Sequence, residues 1–399
     1  MDKKLAMSLV ALYTAYFLVY IHRTVTGVIQ GELSNIATSN GIEPSLFISM
    51  VASAYFYAYA AMQLPSGVFS DALGAKRYVA ISMFTLGLGS LISSIPNPWL
   101  IVAGRVLVGI GSSAVWISIQ RVIGVYADKS LGATLTGIGL AVGNFGALFA
   151  TLPIRILINI SSLSGTLLFL TIVAFLVGTI SFVSINDHGV SSHSIKDGFK
   201  QTLQQLRVVV RSPHSLALGM AYLGSYSAIL SFQSLWAPIY IKKYYPQYIQ
   251  DTPSLLFMLA LAFLIGVFLM GFISDRVLKR RKPILQACCL LHAISWLVLA
   301  FLPILVNVSY NLLLLLFFIL GLVASTHMVI SPMAREAYNH EYSGTTFSFV
   351  NMIGFLGVAI YQSIATFNPD PLTVVAVFSI LSIIALALSR NIKETLKTE

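Results

Sequence analysis

Apolar residues fall in long unbroken runs along this chain, with short polar intervals between them. A helix needs about 20 apolar residues to cross the hydrocarbon of a bilayer. Twelve runs of that order lie at roughly 5–28, 46–69, 78–95, 98–124, 131–156, 163–184, 214–240, 254–274, 284–304, 309–331, 344–366 and 371–389. Membrane-crossing strands would alternate apolar and polar over about ten residues. These runs are continuous and rich in Leu, Ile and Ala, so they read as helices. The predicted fold class is an all-α membrane protein, twelve transmembrane helices in two six-helix, pseudo-symmetric bundles.

Composition points the same way. Of 399 residues, 57% are hydrophobic and 10% charged, against about 25% charged in a soluble domain. Water-soluble classes are excluded. The first run continues past Val28, too long for the apolar stretch of a signal peptide, and is expected to stay as an anchor. Cys288 and Cys289 are adjacent; neighbours on a helix point apart, so they read as helix filler rather than a disulfide.

The net charge is +10. In a soluble protein that would suggest nucleic acid; here the distribution of Lys and Arg explains it, and no nucleic-acid partner is expected. One set of intervals carries Lys3, Lys4, Lys76, Arg77, Lys129, Lys196, Lys200, Arg207, Arg211, Arg276, Lys279, Arg280, Arg281, Lys282, Arg335, Arg390, Lys393 and Lys397. The opposite set carries only Lys242 and Lys243. Basic loops stay inside, so both termini and segment 185–213 are expected in the cytoplasm, with the plasma membrane as the site. Segment 185–213 is the one sizeable polar stretch, and it divides a bundle at 1–184 from another at 214–399. Its second part, "IKDGFKQTLQQLRVVV", has helical spacing and is expected to lie along the membrane face.

The two halves share a string. "GVFSDALGAKR" (67–77) comes after the second run and "GFISDRVLKRRK" (271–282) after the eighth. Subtracting 67 from 271, or 71 from 275, gives the same 204 residues. Internal repeats of this kind mark transporters built from two similar halves.

On these residues the chain resembles the major facilitator superfamily over essentially its whole length. "PSGVFSDALGAKR" looks like the family's loop signature, with Gly67, Asp71, Gly74, Lys76 and Arg77 in place. The second copy keeps Gly271, Asp275 and the basic run but lacks a glycine equivalent to Gly74. "GRVLVGIGSSAVW" (104–116) is similar to the helix 4 signature through Arg105, Gly109 and Gly111. The resemblance implies two lobes rocking about a midplane site lined by helices 1, 4, 7 and 10. Asp71 can meet a helix N-terminus and a nearby arginine, which would latch the lobes in one conformation. Gly139 and Gly143 match the helix 5 string of drug:proton exchangers, but Asn144 stands where that string has proline.

Three basic residues lie deep in the runs: Arg23, Arg105 and Arg155. All fourteen acidic residues fall in loops, tails or helix ends. An arginine at the bilayer centre costs at least ~2.5 kcal/mol, so it must face a water cavity or find an anion. The anion is read as the substrate. Tyr13, Tyr16, Tyr20, Arg23, Gly27 and Gln30 step by three and four and share one helix face. Further stripes are Tyr55, Tyr59 and Gln63; Arg105, Gly109, Ser112, Trp116 and Gln120; and Tyr222, Tyr226, Gln233, Trp236 and Tyr240. His327 and Asn351 join them from helices 10 and 11. A guanidinium offers a planar fork suited to carboxylate or phosphate. The bland alternatives stay open: tyrosines that only pack, Arg105 bonded to carbonyls, Arg155 snorkelling at the surface.

"YIHRTVTGVI" also resembles the helix 1 string of anion:cation symporters and organophosphate:phosphate antiporters, which implies an anion-binding role for Arg23. The helix 7 arginine of the organophosphate branch is missing here, as are the helix 2 and helix 8 arginines of nitrate porters. The expected function is a secondary active or facilitative transporter of a small organic anion: a carboxylate, acidic sugar or peptide-like solute. A proton-coupled carrier of neutral sugars or drug-like solutes is the second reading, and a non-transporting sensor or chaperone the third. His22, His327 and Glu32 are the candidates for a co-transported proton. No HExxH, GxSxG or P-loop string occurs, so no enzyme, cofactor or metal is expected, and a monomer is.

Overall fold

Proline and a capping residue begin four of the membrane-crossing helices. Glu43, Asn97, Ser212 and Asp370 precede Pro44, Pro98, Pro213 and Pro371. Proline suits the first helical position because the amide it lacks would have no partner there. The capping side chain takes amides that the first turn leaves over. Trp99 and Leu100 donate to Asn97 Oδ1 at 3.0 and 3.2 Å, and Leu46 donates to the Glu43 carboxylate at 2.7 Å.

The computed structural model describes residues 2–127, 131–186, 195–304, 308–338, 340–367 and 369–396. Residues 187–194 of the polar segment lie outside these, and so does the side chain of Asp275. The protein is an all-α membrane protein of twelve spans. Among the described residues, nine helices are long and apolar enough to cross a membrane alone. They are Lys3–Gly27, Pro98–Tyr126, Leu152–Ser184, Pro213–Tyr244, Pro246–Phe272, Lys282–Ile304, Tyr310–Glu336, Tyr342–Phe367 and Pro371–Asn391, which hold spans 1, 4 and 6 to 12. Spans 2 and 3 occupy Pro44–Ala61 and Gln63–Ser93, a pair bent by 53°. Gly74, at φ 74°, separates them inside the second helix. Span 5 is Gly132–Phe149 continued by the head of Leu152–Ser184, and Ser162 at φ 81° divides it from span 6. The short helix Gln30–Ser39 after span 1 has no counterpart among the predicted runs; buried Leu33 and Ala37 hold it.

The chain gathers into two units, Met1–Thr202 and Leu203–Glu399. The divide falls inside the helix Ile195–Val209, part of the segment expected to link two bundles. Its first half belongs to the first unit, where Phe199 meets Phe69 with ring centroids 5.8 Å apart.

Small residues set the packing within each unit, as expected where lipid removes the hydrophobic drive between helices. Gly109 of span 4 lies against the Tyr55 carbonyl of span 2, and Gly111 against the backbone of Ser82 and Leu86 in span 3. Gly139 and Gly143 of span 5 seat the rings of Tyr13, Tyr16 and Tyr20 of span 1. In the second unit Gly354 of span 11 receives the Tyr222 ring of span 7. Span 7 is itself irregular, with π-helical turns at Leu223–Ser227 and Phe232–Trp236. Ser227 Oγ supports the first by donating to the carbonyls of Tyr222 at 3.1 Å and Gly354 at 2.6 Å.

This packing and capping can be tested at two positions. Gly109→Ala places a methyl group on the Tyr55 carbonyl and costs about 1–3 kcal/mol, lowering the melting temperature, whereas Gly67→Ala, which meets nothing within 4 Å, leaves it unchanged in a thermal-unfolding assay. The second position is Asp370. Partial burial pushes its carboxyl up, but Lys243, Tyr244 and the Leu372 amide hold it down at about 2. A depressed carboxylate stabilises the fold above its ordinary value of 3.8 and loses that contribution as pH falls toward 2. The stability gap between the wild type and Asp370→Asn should therefore be present at pH 5 to 7, shrink as pH falls below 3.8 and close below about pH 2.

Candidate functional site

Arg23 sits in the last turn of the first helix, just before the chain leaves α-geometry for the 3₁₀ turn Val25–Gly27. It is 1% exposed. Its guanidinium lies 4.4 Å from the centre of the Tyr20 ring and 4.9 Å from that of Tyr59. Its Nε donates to the Tyr55 hydroxyl at 3.4 Å. Cation–ring contacts of this kind are worth about 2 kcal/mol when desolvated. Tyr55 and Tyr59 stack at 5.9 Å, and Tyr16 stacks on Trp116 at 5.0 Å while its hydroxyl bonds to that of Tyr20 at 3.3 Å. The predicted stripes of spans 1, 2 and 4 thus converge on one aromatic cradle. Gln120, one turn beyond Trp116, is half-buried. The stripes also pack: Tyr13 donates to the Leu135 carbonyl at 2.6 Å and stands apart from the cradle.

The other two arginines are bound differently. Arg105 donates to the carbonyls of His22 at 2.7 Å and Val51 at 3.2 Å, and to the Thr26 hydroxyl at 3.3 Å. It is a strut joining span 4 to spans 1 and 2. Its ring contact, 4.9 Å from the Tyr55 centroid, fixes the tyrosine that in turn holds Arg23. Arg155 pairs with Glu32 at 2.6 Å, both half-buried, so Glu32 enters the structure as an ion-pair partner. His22 neighbours Arg23 in sequence but faces elsewhere. It lines a small cavity of about 20 Å³ among Val25, Leu33, Ser90, Arg105 and Leu167, room for a water-sized guest.

In the second unit, His327 lies on a 3₁₀ stretch of span 10, Ser325–Val329. Its ring stacks on Tyr226 at 4.1 Å, with Phe263 beside them at 5.4 Å and Tyr222 edge-on at 5.9 Å. Nδ1 meets the Ala324 carbonyl at 2.8 Å, an acceptor, which leaves Nε2 as the accepting nitrogen. Phe355 of span 11 closes the cluster, 6.1 Å from both tyrosines, and Asn351 is buried one turn before it. Phe263 and Phe355 carried no signal in the sequence beyond their apolar character.

The predicted helix 7 stripe divides. Each π turn adds a residue to the winding and rotates the residues beyond it by about 100°. Tyr222 and Tyr226 therefore face His327, while Trp236 donates to the Tyr361 carbonyl of span 11 at 2.9 Å and Tyr240 to the Leu299 carbonyl of span 9 at 2.7 Å. Gln233 lies in the second π turn, buried. The four serines at 225, 227, 231 and 234 were the available signal, since serine bonding back to helix carbonyls distorts a helix.

At the loop repeat, Asp71 pairs with Arg121 at the far end of span 4. Lys76 lies over the Phe182 ring at 4.9 Å, and Arg77 is exposed. Gly74 takes the positive φ that favours glycine. The second copy turns instead at Lys279, φ 48°. Gly67 and Gly271 both face open space. In the second unit the charges are exchanged: Arg281 of the loop pairs with Glu336 at the end of span 10.

A family model described as Major Facilitator Superfamily matches residues 12–362 of the chain. No curated protein matches it significantly.

Arg105→Lys tests the strut. One ammonium cannot span two carbonyls and a hydroxyl on two helices, and each lost charged hydrogen bond is worth about 1.5–3 kcal/mol. The variant should melt several degrees below the wild type in detergent while staying monodisperse.

Proposed function

The chain belongs to the major facilitator superfamily, whose members carry small molecules across lipid bilayers, and on that footing we propose that it moves a small organic anion by alternating access. The observation that carries this reading is the Arg23 cradle. Spans 1, 2 and 4 surround two buried guanidiniums, and the helices Lys3–Thr24, Pro44–Ala61 and Pro98–Tyr126 contain no Asp or Glu. Arg105 is spread over two carbonyls and a hydroxyl. Arg23 rests on tyrosine faces and a phenol, groups that orient a guanidinium. A carboxylate docking there would gain a charged partner and Tyr hydroxyls together.

The remaining assignments rest on that one. The lobes are 1–184 and 214–399, joined by 185–213, with helices 1, 4, 7 and 10 lining the path and both termini in the cytoplasm. The Tyr222, Tyr226, Phe263 and His327 cluster is the second unit's own candidate contact surface, apolar and aromatic. Among the three groups considered for a coupling proton, Glu32 is engaged by Arg155 and His22 faces a small, mostly apolar cavity. His327 is the one set among candidate substrate contacts. Asp71 with Arg121 forms one half of the latch.

The test is a thermal-shift screen of carboxylates, sugar acids and dipeptides, then liposome uptake of whatever stabilises the protein. The wild type should show saturable, counterflow-competent uptake of at least one anion. Arg23→Ala should stay folded and lose both stabilisation and uptake, and Arg23→Lys should retain a weakened response. Binding and transport by Arg23→Ala at wild-type levels would falsify the assignment.

A further inference from the structure

The segment after helix 12 folds back onto the second unit. Ile392 is 1% exposed. The Glu394 carboxylate accepts the amides of Arg281 and Lys282, each at 3.0 Å, at the start of span 9. Partial burial pushes that carboxyl up, but the amides of Arg281, Lys282, Leu396 and Thr395 hold it below its ordinary value. The Lys282 ammonium bonds to the Arg390 carbonyl at 3.1 Å. Between these ties stands His214, 3% exposed, in the first turn of span 7.

His214 joins three elements through its two ring nitrogens. The Lys393 amide donates to Nδ1 at 3.0 Å. Nε2 lies 3.4 Å from the Met333 carbonyl of span 10. An amide N–H only donates and a carbonyl only accepts. The docked geometry therefore admits one ring proton, on Nε2, and a neutral imidazole. A second proton, taken from water onto Nδ1, would set N–H against N–H and remove the Lys393 bond.

We propose that His214 is a proton-operated catch, holding segment 392–396 on the second unit at neutral pH and releasing it in mild acid. The docked state excludes the second proton, whereas a released histidine takes it up near pH 6.5. Docking is then complete above that pH and weakens by up to about tenfold per unit below it. The other charged and titratable groups on the elements packed around His214 are Arg281 and Lys282; Arg335, Glu336 and Tyr338; Tyr342 and Tyr361; and Arg390, Lys393 and Glu394. The side chains of His340 and Glu341 lie outside the described residues. Cations outnumber carboxylates in this set, so a further positive charge there is repelled. Among these described groups His214 is the imidazole, the side chain whose ordinary value lies between pH 5.5 and 7.5. The catch lies on the face with the basic loops and reads the pH of that side, whatever the transported solute.

Amide hydrogen exchange on the full chain in lipid nanodiscs tests it, at pH 7.5 and 5.5, with intrinsic exchange rates divided out. Protection of residues 392–396 should fall about tenfold in the wild type, the drop the linkage gives for one histidine over this window. Glu394→Gln should lower protection at both values and keep the tenfold ratio. His214→Gln, and Lys393→Pro, which deletes the donated amide and leaves every helix untouched, should bring the ratio close to one. A wild-type ratio near one would sink the catch, as would an undiminished drop in both His214→Gln and Lys393→Pro.

Discussion

A guanidinium in hydrocarbon must be held by the protein itself, and this chain solves that problem three times. Arg105 distributes its donors over main-chain carbonyls and a threonine. Arg155 takes a carboxylate. Arg23 is enclosed by tyrosine rings and bonded to a phenol. The solutions differ in chemistry. A carboxylate cancels the charge and carbonyls use the donors, whereas aromatic faces hold a cation through the ring quadrupole and keep its positive field. The first of these arrangements also builds the third, because Arg105 touches the ring of Tyr55 and that hydroxyl meets Arg23.

Close helix approach makes the cradle possible. The glycines of span 5 accept the rings of span 1, and Gly109 lets span 4 rest on the carbonyl of Tyr55. Each contact fixes the height at which an aromatic side chain enters the interior. The tyrosines of span 1 consequently do two jobs in one row, Tyr13 packing and Tyr20 lying against Arg23, with Tyr16 stacked on Trp116 between them. Packing and binding are neighbouring uses of one stripe here, separated by a single helical turn.

The repeat between the halves is looser in structure than in sequence. Both loops carry a basic run after a span, and in each unit a loop charge reaches the end of the span two further on. The sign is exchanged, acid to base in the first unit and base to acid in the second. The turn is made by Gly74 in one copy and by a left-handed Lys279 in the other. An ion pair depends on opposite charges at a given separation, not on which side of the pair holds which, so the pairing outlasts the exchange.

Hydropathy and spacing were enough to place the twelve spans, the breaks near Gly74 and Ser162, and the polar stretch after span 6, because each depends on residues close together in the chain. They also grouped Tyr16, Tyr20, Arg23, Tyr59 and Trp116 on helix faces, and all five are buried, since regular helices carry their phase along. Span 7 defeated that logic. Its π turns advance the phase between Tyr226 and Trp236, and a pattern read at 3.6 residues per turn cannot register a change in winding. The division of labour among the arginines was equally out of reach, as was the tie between His214 and Lys393, 179 residues apart. A side chain's partner in such cases is a main-chain atom brought in by folding, and main-chain atoms are the same at every position of a sequence.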